Sequence, residues 1–131
     1  MNRLKGYITS IQSSLHLSFV GVEANGELLH LLLLEKPLEA IGDEVNLVFK
    51  ESEVILSKDV IKSTANMSKG IIGEIQKGEI LTHVTLLHND IEIASLVPTQ
   101  TFDMMKCNLG DTIYWIISPS EISLQRSHYG K

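Results

Sequence analysis

Residues 2–12 read NRLKGYITSIQ, and residues 66–76 read NMSKGIIGEIQ. A chain of 131 residues that repeats itself at an offset of 64 has few folds open to it, because both copies must solve one packing problem. Identical pairs at this offset include Asn2 and Asn66, Lys5 and Lys69, Gly6 and Gly70, Ile8 and Ile72, Ile11 and Ile75, Gln12 and Gln76, Leu17 and Leu81, and Val20 and Val84. Farther along the offset becomes 68. Gly42-Asp43 matches Gly110-Asp111, Ser52-Glu53 matches Ser120-Glu121, and Leu56 matches Leu124. The second copy therefore carries four extra residues between Leu34 and Gly110. The copies run over about 2–58 and 66–128, joined by DVIKSTA, and divide the chain into modules of residues 1–60 and 61–131.

GYITSIQ and GIIGEIQ place apolar residues at alternate positions, the two-residue period of a strand. VNLVF at 45–49 and IYWII at 113–117 are rich in β-branched and aromatic residues, as are EVIL at 53–56 and EISL at 121–124. Gly-Asp, Asn25-Gly26 and Asn89-Asp90 are turn signals between these runs. Each module then holds about five short strands. One helical candidate, residues 100–106, falls in the segment that contains the extra residues. The pattern predicts an all-β protein of two tandem OB-like five-stranded β-barrel modules.

Residues 28–34 read LLHLLLL. Leu29, Leu31 and Leu33 share one face, while Leu28, Leu32 and Leu34 share the other with His30. A barrel strand buries one face only, so the second needs cover from the sister module or another subunit. An oligomer is the expectation, with one core shared by both modules of a monomer as the alternative.

The net charge is −5 and aromatics are 5% of residues, which argues against nucleic acid, where cations neutralise phosphates and aromatic rings stack on bases. A small anion remains possible, because a few N–H groups and one cation make a local site. The lone Cys107 cannot form an internal disulfide. The N-terminal MNRLKGYITSIQSS lacks a signal-peptide core, and no apolar run approaches the ~20 residues that span a bilayer. A cytoplasmic protein without membrane contact is expected. His16, His30, His83, His88 and His128 show no metal-ligand spacing. No acid–base pair, nucleophile constellation or phosphate loop stands out, so a binding role is expected rather than catalysis.

The unit resembles the Mop (molybdopterin-binding, or TOBE) module. The resemblance is carried by NRLKG and NMSKG, GDEV and GDTI, and KESEV and SPSEI, in one order and duplicated. It covers almost the whole chain as a tandem pair, similar to the di-Mop proteins of bacteria. The resemblance implies trimers of paired barrels, with molybdate or tungstate held between modules by main-chain N–H groups, hydroxyls and a cation. It implies storage, buffering or sensing of the oxyanion in molybdenum homeostasis.

Molybdate is a tetrahedral dianion that offers acceptors only, so its site needs donors, and a carboxylate there repels it. The motif positions supply Lys50 and Ser52 in the first repeat, and Ser118 and Ser120 in the second, where the lysine is absent. The segment KSTAN at 62–66 aligns with the family's Ser-Ala-Arg-Asn motif through Ser63 and Asn66, with Thr64 beside them and Ala65 in the arginine position. The first repeat begins at Met1-Asn2 and so keeps the asparagine without the upstream serine. Thr99 stands in the loop after the middle strand, and Thr101 reads as a helix cap. Each of these has a plainer reading: Ser63 and Thr64 satisfying turn backbone, Lys50 a solvated strand end, Lys5 and Lys69 shielding a sheet edge, Gly6 and Gly70 permitting close packing. Two other functions follow from the same residues, a ligand-free regulatory or assembly module of this fold and an oligonucleotide-binding OB module.

Overall fold

The structure is a computed structural model and describes residues 1–62 and 65–126. The first repeat folds as β1 (Asn2–Ser13), β2 (Ser18–Ala24), β3 (Glu27–Leu33), β4 (Glu44–Phe49) and β5 (Ile55–Ser57). The second follows the same plan as β6 (Met67–Lys77), β7 (Leu81–His88), β8 (Ile91–Pro98), α1 (Thr99–Met105), β9 (Thr112–Ile116) and β10 (Ser123–Arg126). A 3-10 turn precedes each final strand, at Glu51–Glu53 and Pro119–Glu121, so those two final strands are shorter than their β-rich sequence suggests. The helix starts at Thr99, one residue before the expected segment. Thr101 therefore sits within its first turn, and the cap position belongs to Pro98.

The strands form two curled five-stranded antiparallel sheets, ordered β10-β4-β1-β2-β3 and β5-β9-β6-β7-β8. Each repeat thus gives its last strand to the other repeat's sheet. Ile55–Ser57 pairs with Ile116–Tyr114, and Ser123–Arg126 pairs with Val48–Val45. The boundary between residues 60 and 61 divides the sequence but not the sheets. Beyond each 3-10 turn the chain leaves its own fourth strand and meets its neighbour's.

The repeated residues have local physical reasons. Gly42 and Gly110 adopt φ of +96° and +87°, a region that favours glycine. The aspartate after each glycine accepts a backbone N–H three residues upstream, from Ala40 and Asn108, both at 2.9 Å. These turns pin the first strands where they bulge, since Gly42 N–H donates to Ile8 O and Gly110 N–H to Ile72 O, both at 2.8 Å. The bulges fall at Thr9 and Gly73, equivalent positions, and bend each long strand around its core. A Cβ on Gly6 would lie 2.5 Å from the Glu23 carbonyl oxygen, so this glycine permits close strand packing. Lys5 and Lys69 shield no edge, because β1 and β6 lie inside their sheets. Lys5 instead pairs with Glu44 at 3.0 Å, and Lys69 lies over the Tyr114 ring.

One contiguous core draws on both repeats, from Leu4 and Ile8 to Trp115 and Ile122. Leu29 and Leu31 are in it. The sister repeat does not cover the opposite face of β3, where Leu28 is 54% and Leu32 37% exposed. Three reciprocal contacts join the repeats. Asn2 clamps the backbone of Ala94, Asn66 clamps that of His30, and the hairpin tips exchange hydrogen bonds between Asn25 and Asn89. Positions 30 and 94 are themselves equivalent, so the repeats meet about a local two-fold axis.

Candidate functional site

Lys50 and Ser118 hold the same place ahead of the two 3-10 turns, with nearly the same extended backbone (φ −77°, ψ 146° and φ −66°, ψ 140°). Their carbonyls accept the N–H of Glu53 and Glu121 at 3.1 and 2.9 Å, which closes the turns. Each closed turn leaves its side chains pointing outward, and Lys50, Ser52, Ser118 and Ser120 are all exposed. The Ser118 and Ser120 hydroxyls are 3.2 Å apart.

Strand exchange brings the two turns together. A cleft of about 170 Å³ is lined by Lys50, Val48 and Phe49 from one repeat, Ser120, Glu121 and Ser123 from the other, and Met1. Lys50 comes from the first repeat and Ser120 and Ser123 from the second, so neither repeat lines the cleft alone. Glu121 adds a carboxylate to the lining, which opposes an anion at that wall. Glu51 faces a different cleft, of about 390 Å³, lined also by Arg3, His83 and Glu92. There its carboxylate lies 3.0 Å from the Met1 amine and 3.5 Å from His83 Nε2.

The other expected donors are placed differently. Asn2 and Asn66 are 5% and 0% exposed. Each amide makes a two-point bond to an edge strand. Asn2 donates to Ala94 O and accepts from Ala94 N–H, both at 2.8 Å. Asn66 donates to His30 O at 2.8 Å and accepts from His30 N–H at 2.7 Å. The side chains thus act as stand-in strands for β3 and β8. Thr99 is buried too, its hydroxyl donating to Gly78 O at 2.8 Å and lying 2.8 Å from the Thr82 hydroxyl. Ser63 and Thr64 lie outside the described residues.

Sequence reasoning missed Ser123 and Arg3. Ser123 enters the cleft only through the exchange of β10. Arg3 donates to Gln125 Oε1 at 2.7 Å, reaching across β4 to β10. Its signal was a break in the repeat, because Met67 occupies the matching position. Among the described residues no group of three or more His, Cys, Asp or Glu could hold a metal ion. Burial pushes the Cys107 thiol above its ordinary pKa, with Lys58 opposing and Asp111 adding to the shift, so the thiol is a poor nucleophile. No helix among the described residues is long and apolar enough to cross a membrane.

No protein-family profile and no curated protein sequence matches the chain. Among solved structures, the chain is similar to the cytoplasmic molybdate-binding protein ModG in a crystal form with molybdate bound. The TM-score is 0.90, with 24% sequence identity over 95% of each chain. Two curled five-stranded sheets, tandem repeats and this likeness agree, and the fold is of the Mop/TOBE-like kind that the repeated motifs implied.

Proposed function

We propose that this chain binds a tetrahedral metal oxyanion, molybdate or tungstate, in the cytoplasm, and serves to store, buffer or sense it rather than to catalyse a reaction. The observation that carries the reading is the likeness to a molybdate-binding protein across 95% of both chains. The cleft between the 3-10 turns supports it with a cation and hydroxyls from different repeats. Such donors suit a dianion, since hydrogen bonds to a charged group contribute about 1.5–3 kcal/mol each. The exposed leucines on the outer face of β3 support a homo-oligomer, a trimer by the family resemblance, in which neighbouring subunits close a cleft that one chain leaves open.

Calorimetric titration with molybdate, tungstate and sulfate, alongside native mass, tests this. The expected outcome is tight binding of molybdate or tungstate, weak sulfate binding and a trimeric mass. Lys50→Ala should weaken binding by about 10–100-fold, the loss of one charged hydrogen bond. Ser63→Ala tests the linker donor named by the motif. A folded oligomer that gives no heat with either oxyanion would refute the reading. That outcome would favour a ligand-free assembly module of the same fold, for which the commitment of Asn2, Asn66 and Thr99 to backbone groups, and Glu121 in the cleft wall, already speak.

A further inference from the structure

The cleft between the two 3-10 turns holds a carboxylate among its donors. Glu121 lines it beside Lys50, Ser120 and Ser123. The Glu121 N–H closes the second turn on Ser118 O at 2.9 Å, which fixes where this side chain starts. Lys50 and Glu121 border the same space, yet neither makes an ion pair with the other or with any other described residue. Opposite charges that share a small cleft without touching leave room between them for a third group. The neighbouring charges are already engaged. The Met1 amine lies 3.0 Å from Glu51, whose other oxygen is 3.5 Å from His83 Nε2, and Arg3 donates to Gln125 on β10. Glu53, the counterpart of Glu121 in the first repeat, takes no part in this lining.

A fully ionised tetrahedral oxyanion offers acceptors only, and so does an ionised carboxylate. Set side by side they repel, and like charges that share a site relieve this by holding one proton between them. Resting on the oxyanion reading of this cleft, we propose that Glu121 makes binding proton-coupled. The ion enters with one proton from solvent, which is held between an oxyanion oxygen and the Glu121 carboxylate. Lys50 and the serine hydroxyls donate to the remaining oxygens. The proton turns a repulsive wall into a charge-assisted hydrogen bond. It also selects among ions. Molybdate and tungstate are stronger bases than sulfate, so they hold the shared proton and sulfate does not. Glu121 is thereby a specificity-determining residue, which penalises an unprotonated dianion and spares a basic one.

Calorimetric titration of the full chain with sodium molybdate, in PIPES and in imidazole at one pH, reads the proton directly. Buffers of different ionisation enthalpy give different observed heats only when protons move. Uptake approaching one proton per ion is expected. The bound state then holds more protons than the free one, so affinity should fall as pH rises, by up to about tenfold per unit between about pH 6 and 8. Glu121→Gln, at an exposed position, should abolish both the uptake and the pH slope. It should also narrow the preference for molybdate over sulfate by at least about tenfold, because the new amide donates to sulfate where the carboxylate repelled it. His83→Gln, which removes the histidine linked to the cleft through Glu51 and Met1, should keep the uptake and the slope. Molybdate binding without proton uptake in the parent chain would overturn this proposal and leave the oxyanion reading standing. Uptake that survives Glu121→Gln, or disappears in His83→Gln, would overturn it by placing the proton elsewhere. A folded chain that binds neither ion would overturn the oxyanion reading and this inference with it.

Discussion

Asn66 holds the seam between the repeats, and its removal has a calculable cost. The side chain is fully buried, and its amide stands where a neighbouring strand would, bonding both backbone groups of His30 on the outer edge of β3. Asn66→Ala leaves a donor and an acceptor without partners in a part-buried seam. Two lost hydrogen bonds and the desolvation of the orphaned groups together amount to about 2–4 kcal/mol. At ~2.1 cal/mol/K of unfolding entropy per residue, each kcal/mol moves the melting point of a chain this size by about 4 °C. Asn66→Ala should therefore melt about 8–16 °C below the parent. Differential scanning calorimetry would measure this, with exposed Ser52→Ala as the control. Asn66→Asp sharpens the test, because it keeps the volume and the acceptor for His30 N–H but sets a carboxylate oxygen against the His30 carbonyl. It should destabilise at least as much as alanine. A shift below about 3 °C for Asn66→Ala, or an Asn66→Asp protein as stable as the parent, would refute the stand-in-strand account.

Three further outcomes are expected. Fragments 1–60 and 61–131 should each be largely unfolded alone, because each lacks the strand its sheet takes from the other. Mixing them should restore dispersed amide resonances, and an independently folded fragment would count against strand exchange. Gly6→Ala should destabilise by about 1–3 kcal/mol through a clash with the rigid Glu23 carbonyl. Gly70→Ala should cost less, since the nearest atom is the Leu86 Cβ at 3.0 Å, and chemical denaturation of the pair compares them directly. Cys107, its pKa raised chiefly by burial, should react slowly with a thiol reagent until the chain unfolds. A folded-state pKa above the unfolded one stabilises below the unfolded value, so this contribution should fade as pH rises through the thiol range, and vanish in Cys107→Ser.

Much of the fold was legible because it is local. Alternation in GYITSIQ and GIIGEIQ, positive-φ pairs at Asn25-Gly26 and Asn89-Asp90, and the Gly-Asp turns each depend on a few neighbouring residues. The exchange of β5 and β10 was not legible, because strands of three and four residues carry no signal for which of two equivalent edges they join. The candidate cleft was legible in part. Lys50 and Ser120 do line one cleft, although they were matched to motifs in separate repeats. Asn2 and Asn66 matched the motif equally well, yet an asparagine bonding an oxyanion and one bonding a strand edge look the same in sequence. Burial and the reciprocal partner, Ala94 or His30, reveal the strand-edge bond.

The pairing of β4 with β10 also sets a clock on synthesis. Val48 finds its partner in Ser123, 75 positions later in the chain. A ribosome adding ~5–20 residues per second needs about 4–15 s to cover that gap. For all that time the outer edge of β4 offers unpaired backbone groups to any other strand nearby. The strand's own inventory reads as a guard against this, with Glu44 at its start and Lys50 and Glu51 immediately beyond its end. The sheet that begins first is the last to be finished, and β10 closes it.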